Sequence, residues 1–415
     1  MKNIRRDTVD YMVNGIKYIC LNYKNRSAGS LSEKECQKYF KRELGNWADL
    51  VEEETFTLHP KAFVGSIPVA GSINILSVCM FWLSLKTDSI IFPIIGVVAI
   101  LFSVALDTLE SFFYRKAFDF LFPRAVSRNI MARRAPKGEV KRCIIFGGHA
   151  DAAYEMNYCL HGQLKSTIPV LAGSSLGMAF VFICNVALLI QSATVGNVGD
   201  GIWRILGIIE IAFIPFFIAI VFFSNWTRVV DGANDNLSAC YVAMGVLKEM
   251  SEQNFRFENT EVCCLITGAE ESGIRGALAY AKRHREKLSS VETIFIALDT
   301  MREIDQLRAF VLGQNGMQKN SNTVFELINE AGKNCGANIR KAKLLFGATD
   351  AEAFSRNDLQ ACGFCAVALT PQLYYHTRHD TWDNISEECL QLSLEVCMEA
   401  AHLYDENNGM NKYKG

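Results

Sequence analysis

Four long stretches without an acidic or basic cluster constrain this chain more than anything else in it. They are Ala62–Leu85, Ser89–Leu106, Ser166–Gly199 (apolar over Ile168–Gln191) and Ile202–Thr227, which carries Arg204 near its start and Glu210 inside. A helix needs roughly 20 mostly apolar residues to cross a bilayer, and all four are long enough. They fall in two pairs, split by Lys86-Thr87-Asp88 and by a loop around residues 192–201. Each pair reads as a hairpin, so every polar segment emerges on one face. Lys61, Arg115, Lys116, Arg124, Arg128, Lys165 and Arg228 flank the hairpins on that face; the opposite loops hold little beyond Lys86 and Arg204. The positive-inside rule then makes the polar segments cytoplasmic. Reduced thiols belong there, so the 14 cysteines predict no structural disulfides. Glu210 has two readings, a functional ionisable group within a span or a residue snorkelling near a helix end.

The 415 residues carry 42 Lys+Arg against 44 Asp+Glu, a net charge of −2, which excludes the strongly basic face of a general nucleic-acid binder. With 50% apolar and 21% charged residues the chain is no disordered polymer. Residues 1–24 lack a continuous apolar run; Val9, Met12, Ile16 and Ile19 recur at helical spacing, predicting an amphipathic helix and no signal peptide. The domain expectation is one polar domain, residues 1–61, 113–165 and 228–415, interrupted by hairpins at 62–112 and 166–227.

The polar segments alternate strands and helices. Arg142–Gly148, Val262–Gly268, Thr293–Leu298 and Phe364–Leu369 read as buried strands; Leu237–Met250, Gly273–Arg285 and Glu387–Tyr404 have helical periodicity. That order predicts an α/β fold with a mixed, mostly parallel sheet flanked by helices, and sites at the carboxyl ends of its strands. Metal-binding side chains stand at those ends: His149-Ala-Asp151, Asp235 in Gly-Ala-Asn-Asp-Asn, Glu270-Glu271, Asp299, and His376 in Tyr-Tyr-His-Thr-Arg-His-Asp-Thr. Two histidines with three or four carboxylates suit one or two Zn²⁺ ions with an open position for water. On spacing alone His379 rivals His376.

Taken in order, His149-x-Asp151, Gly-Ala-Asn-Asp235-Asn, Gly-Ala-Glu270-Glu271-x-Gly, Leu-Asp299 and Tyr-His376-Thr-x-x-Asp380-Thr resemble the zinc-exopeptidase family of co-catalytic, dizinc aminopeptidases. The stretch Asn25-Arg-Ser-Ala-Gly-Ser30 with Glu33, running to Glu43-Leu44, is similar to that family's opening loop and helices. The resemblance implies two zinc ions. Asp235 would bridge them, His149 and Asp299 would complete one, and Glu271 and His376 the other. It implies Glu270 as general base, Asp151 acting behind His149, and Tyr375 stabilising the oxyanion. Against the family pattern, the second hairpin separates His149 from Asp235. Thr349-Asp350-Ala351 and Leu-Ser-Ala-Cys240 also depart from its usual runs.

The expectation is therefore a membrane-embedded zinc exopeptidase that takes the N-terminal residue from short peptides. A single-zinc cyclase resembling glutaminyl cyclases, or a hydrolase of acyl amides, is the alternative, followed by an inactive membrane scaffold on the same fold. The expected partners are a peptide or amide substrate and the lipid bilayer, with no nucleic acid; oligomeric state and specificity cannot be read. Glu303 and Arg378 are candidates for binding a substrate's terminal charge. Cys362-Gly-Phe-Cys365 reads as core packing, and Arg133-Arg134 with Lys141-Arg142 as headgroup contacts.

Overall fold

The computed structural model describes residues 4–162, 164–196, 200–368 and 372–413. In chain order the elements are α1 (Arg6–Asn22), α2 (Leu31–Leu44), β1 (Leu50–Leu58), α3 (Ala62–Thr87), α4 (Ile91–Leu106), β2 (Ala125–Arg134), β3 (Arg142–His149), β4 (Tyr154–Met156), α5 (Asn157–Gly162), α6 (Leu164–Thr194) and α7 (Asp200–Val221). Then follow β5 (Ser224–Val229), α8 (Ala239–Glu252), β6 (Thr260–Thr267), α9 (Arg275–Ser289), β7 (Glu292–Met301), β8 (Leu307–Gly313), β9 (Gln318–Lys319), α10 (Asn322–Asn334), β10 (Arg340–Lys343), α11 (Asp350–Ser355), β11 (Gln360–Ala366) and α12 (Glu387–Glu406). They divide into two compact units. The first is Met1–Pro60, Arg124–Glu155 and Trp226–Gly415; the second is Lys61–Pro123 and Met156–Asn225.

The first unit is built on a sheet ordered β1-β2-β6-β3-β7-β11-β8-β10, with β9 on β8. Its centre, β6-β3-β7-β11, is parallel, and antiparallel partners extend it on both sides. A strand covered on both faces needs a continuous apolar run, and every residue of β3 is buried. Helices α8, α10 and α12 cover one face, and α9 and α11 the other. The first twelve residues of α8, Ala239–Met250, are all buried, which makes it the central helix of its layer. Gly148 permits this: a Cβ there would stand 2.9 Å from Ala239 Cβ and 2.9 Å from Cys240 N. The start of α8, and the Asp235 loop before it, can thus lie directly against the carboxyl end of β3.

The expected fold class is met: a mixed sheet, parallel at its centre and flanked by helices. Val9, Met12, Ile16 and Ile19 are all buried on α1. The strand expected at Phe364–Leu369 begins earlier, at Gln360, and ends at Ala366; Leu369 lies outside the described residues. Arg133, Arg134 and Arg142 correct the expectation of headgroup contacts, because all three are buried. Arg133 pairs with Glu52 and Glu261 at 3.0 Å each, Arg134 donates to the carbonyls of Trp47, Met250 and Phe255, and Arg142 donates to Thr260. Their charges serve neighbouring segments of the same unit.

In the second unit, α3, α4, α6 and α7 pack on one another. Four helices here are long and apolar enough to cross a membrane: Ala62–Thr87, Ile91–Phe112, Lys165–Thr194 and Gly201–Val221. The fourth apolar run does not stay helical to its end, since Ser224–Val229 is a strand. Residues 197–199, within the expected second loop, lie outside the described residues. Glu210 is buried beside the Cys184 thiol, so its carboxylate does not snorkel. Among the described residues no cysteine is in a disulfide, and Cys362 and Cys365 are buried in β11.

Candidate metal centre

Parallel strands deliver their carboxyl ends to one edge, and the chemistry collects there. His149 is the last residue of β3, Glu270 and Glu271 follow β6, Asp299 lies near the end of β7, and Asp235 sits in the turn before α8. His376 comes from the loop between β11 and α12 and has φ 52°.

Asp235 is the hub. Its Oδ1 lies 3.2 Å from His149 Nε2, and its Oδ2 lies 3.0 Å from His376 Nε2. Glu271 Oε1 is 3.3 Å from His376 Nε2, and Glu270 Oε2 is 3.8 Å from His149 Nε2. One carboxylate thus faces two imidazoles with its two oxygens, as a bridging ligand would. Ligand atoms of His149, Asp235 and Glu271 all lie within 4.8 Å of one another. His376 is buried in this cluster while His379 is exposed, so the geometry separates the two rivals. Tyr375 stacks on the His376 ring with centroids 4.1 Å apart.

Most of these groups are held by a neighbour's side chain. Asp151, fully buried, accepts the backbone N–H of Glu270 on one oxygen and that of Glu271 on the other, both at 3.0 Å. It also lies 3.5 Å from His149 Nδ1. Asp380 accepts from the backbone N–H of Asn234 at 2.7 Å and of Asp235 at 3.1 Å. Asn236 straddles Asp299, donating to Leu298 O and accepting from Thr300 N, each at 3.1 Å. Glu33 accepts from Ala269 N at 3.0 Å, one residue before Glu270. Nothing in the sequence singles out Asn236, and Asp380 and Glu33 stand out there only as parts of motifs. A usable signal was the density of short polar side chains around Asp235, since such residues hydrogen-bond nearby backbone.

The electrostatics suit a bound cation. Burial first, then Glu271, Asp350 and Asp299, push Glu270 well above the usual carboxylate range against the pull of His149. Burial and then Asp235 push Asp299 up to about 8, and burial also raises Glu271. For Asp235 burial works upward too, but hydrogen bonds from His149 and His376 outweigh it and hold the group below its ordinary value. Burial opposes charge on both histidines, yet the carboxylates around them raise both. Four clustered carboxylates, Asp235 buried and Glu270, Glu271 and Asp299 half-buried, ionise more readily beside two imidazoles when a cation is bound among them. Glu271 Oε1 faces His376 outside hydrogen-bonding geometry and is otherwise buried without a donor. Nitrogen and carboxylate donors in this number fit zinc.

The two candidates for binding a terminal charge are both engaged. Arg378 makes a forked ion pair with buried Glu155, at 2.6 and 2.7 Å. Glu303 pairs with Arg302 at 2.9 Å.

Residues 221–401 match Peptidase family M28. No curated protein matches the chain. Among solved structures, it is similar to the zinc aminopeptidase BSAP from Bacillus subtilis, with a TM-score of 0.56 and 12% identity over 98% of this chain and 96% of that one. An aminopeptidase from Aneurinibacillus sp. strain AM-1 gives 0.55 and 14% over 95% and 93%. A glutaminyl cyclase from an Acidobacteriales bacterium gives 0.53 and 14% over 98% and 97%. These findings place the chain on the fold shared by these zinc aminopeptidases, with residues 221–401 matching Peptidase family M28.

Proposed function

We propose that the chain is a membrane-embedded aminopeptidase that removes the N-terminal residue of short peptides at a dizinc centre. The observation that carries this reading is Asp235 presenting one oxygen to His149 and the other to His376, with Glu270 and Glu271 beside them. His149, Asp235, Asp299, Glu271 and His376 would hold the metal. When bound, zinc would polarise the scissile carbonyl and lower the pKa of a coordinated water. Glu270 takes the proton from the attacking water and returns it to the leaving amine. Its backbone is held for that task by Asp151. Tyr375 keeps its phenol proton, because burial and then Asp235 raise it well above its ordinary value, and so can donate to a developing oxyanion.

Under this reading the four apolar helices, long enough to cross a membrane, would span a bilayer as two hairpins inserted into loops of the peptidase domain, with the basic flanks on the cytoplasmic side. Glu270→Gln should abolish hydrolysis of aminoacyl substrates by about 10²–10⁴-fold while zinc stays bound. Retained activity in that variant would overturn the mechanism. The glutaminyl cyclase among the similar folds makes cyclisation of N-terminal glutamine the second reading. A substrate screen with zinc counting separates the two: cyclisation with one zinc favours the cyclase.

A further inference from the structure

Arg26 is 1% exposed, and its guanidinium meets backbone carbonyls from both sides of the long interruption between His149 and Asp235. Nε donates to Ala150 O at 3.0 Å, between His149 and Asp151. Nη2 donates to Asp231 O at 2.7 Å and reaches Gly232 O at 3.5 Å, in the turn that leads to Asp235. Nη1 reaches Tyr23 O at 3.3 Å, and Arg26's own carbonyl accepts from Ala152 N at 2.9 Å. Gly232 has φ 61°, and a Cβ there would stand 3.1 Å from Nη2 and 2.7 Å from Asp235 O. The turn is therefore shaped to let the guanidinium in.

We propose that Arg26 is a positioning residue that sets the Asp235 loop against the His149 strand exit, so that one carboxylate can face both histidines. The inference rests on the dizinc reading of the site. Between Ala153 and Val230 the chain runs through the second helical unit, so covalent continuity does little to fix the distance between the two ligand loops. The stems are joined by Val230 N donating to Ala153 O at 3.0 Å, and Arg26 adds a fork one step nearer the ligands. A guanidinium suits the task, since its donors lie in one rigid plane and point in several directions at once. An ammonium has one nitrogen and cannot reach Ala150, Tyr23 and Asp231 together.

The test uses the full chain in detergent or nanodiscs, as wild type, Arg26→Lys and Arg26→Met. Zinc affinity is measured by competition with a chromophoric chelator, the cobalt-substituted protein is examined by visible absorption, and thermal midpoints are recorded for the metal-free forms. Zinc affinity should fall about 10–100-fold in Arg26→Met, the size seen when support behind metal ligands is removed. Arg26→Lys should fall between that variant and wild type, and both cobalt spectra should change. In turnover, kcat should fall with KM nearly unchanged. Wild-type affinity and cobalt spectrum in either variant would overturn the proposal, as would losses that only follow the thermal midpoint. If Arg26→Met fails to fold, Arg26→Lys alone decides between these outcomes. Failure of the wild-type protein to bind zinc would instead refute the dizinc reading itself.

Discussion

Replacing Asp151 by Asn probes the site where its support is most concentrated. Asp151 is fully buried, and its two carboxylate oxygens each take one backbone N–H, from Glu270 and from Glu271, at 3.0 Å. An amide has one oxygen, so either orientation turns an NH₂ group toward an N–H donor. One charge-assisted hydrogen bond, about 1.5–3 kcal/mol, is lost, and a buried donor is left unpaired at about 1–3 kcal/mol. Relaxation of the turn recovers part of this, so the expected destabilisation is about 2–4 kcal/mol. At about 2–4 °C per kcal/mol for a domain of this size, the thermal midpoint of the metal-free protein should drop by about 4–16 °C. The same change releases Glu270 and Glu271 from their aim, and zinc affinity should fall about 10–100-fold. Differential scanning fluorimetry reads the first quantity and chelator competition the second. An Asp151→Asn protein with the wild-type midpoint and zinc affinity would refute the claim that this carboxylate holds both glutamates.

Further outcomes follow from the same geometry. Zinc loading at pH 7 should release protons, because Asp299 is raised to about 8 and Glu270 well above its ordinary range in the metal-free site; calorimetry in buffers of different ionisation enthalpy measures the release, and proton uptake would contradict it. The metal-free fold should lose stability between about pH 4 and 8. A raised carboxyl leaves the folded state holding a proton that the unfolded chain has already lost, and histidines raised by carboxylates work in the same direction; denaturation at several pH values checks the sign. Arg378→Ala should lower the thermal midpoint, because Glu155 loses its forked partner and keeps Arg228 at 3.9 Å and the backbone N–H of residue 378, without changing the preference between free and amidated substrate C-termini. Gly148→Ala should cost about 1–3 kcal/mol as its methyl meets Ala239 and Cys240, read again by thermal midpoint.

The central strands were legible because burial on both faces leaves an apolar run such as Cys-Ile-Ile-Phe in β3, ending at a histidine. Strand β2 was not, since Arg133 and Arg134 look like surface charge until Glu52, Glu261 and the carbonyls beside them come into contact. Strand β1 hides in the same way, its run of three glutamates lying on a half-exposed edge. At the site, strand ends with acidic neighbours revealed the cluster of His149, Glu270, Glu271 and Asp299. The residues that hold it were harder to see. Asp380 and Asn236 act on backbone N–H and C=O groups far along the chain, and such partners leave no trace in local spacing. Arg26 is more hidden still, because a buried arginine that serves carbonyls has no acidic partner for a charge pattern to reveal.

The most direct measurement is the zinc content of the purified full chain beside that of Asp235→Ala, by inductively coupled plasma mass spectrometry after equilibration with limiting zinc. Two zinc ions per chain in the wild type, with loss of at least one in the variant, is the result predicted from one carboxylate facing both His149 and His376. A wild-type chain that holds no zinc, or an Asp235→Ala chain that keeps both ions, would contradict it.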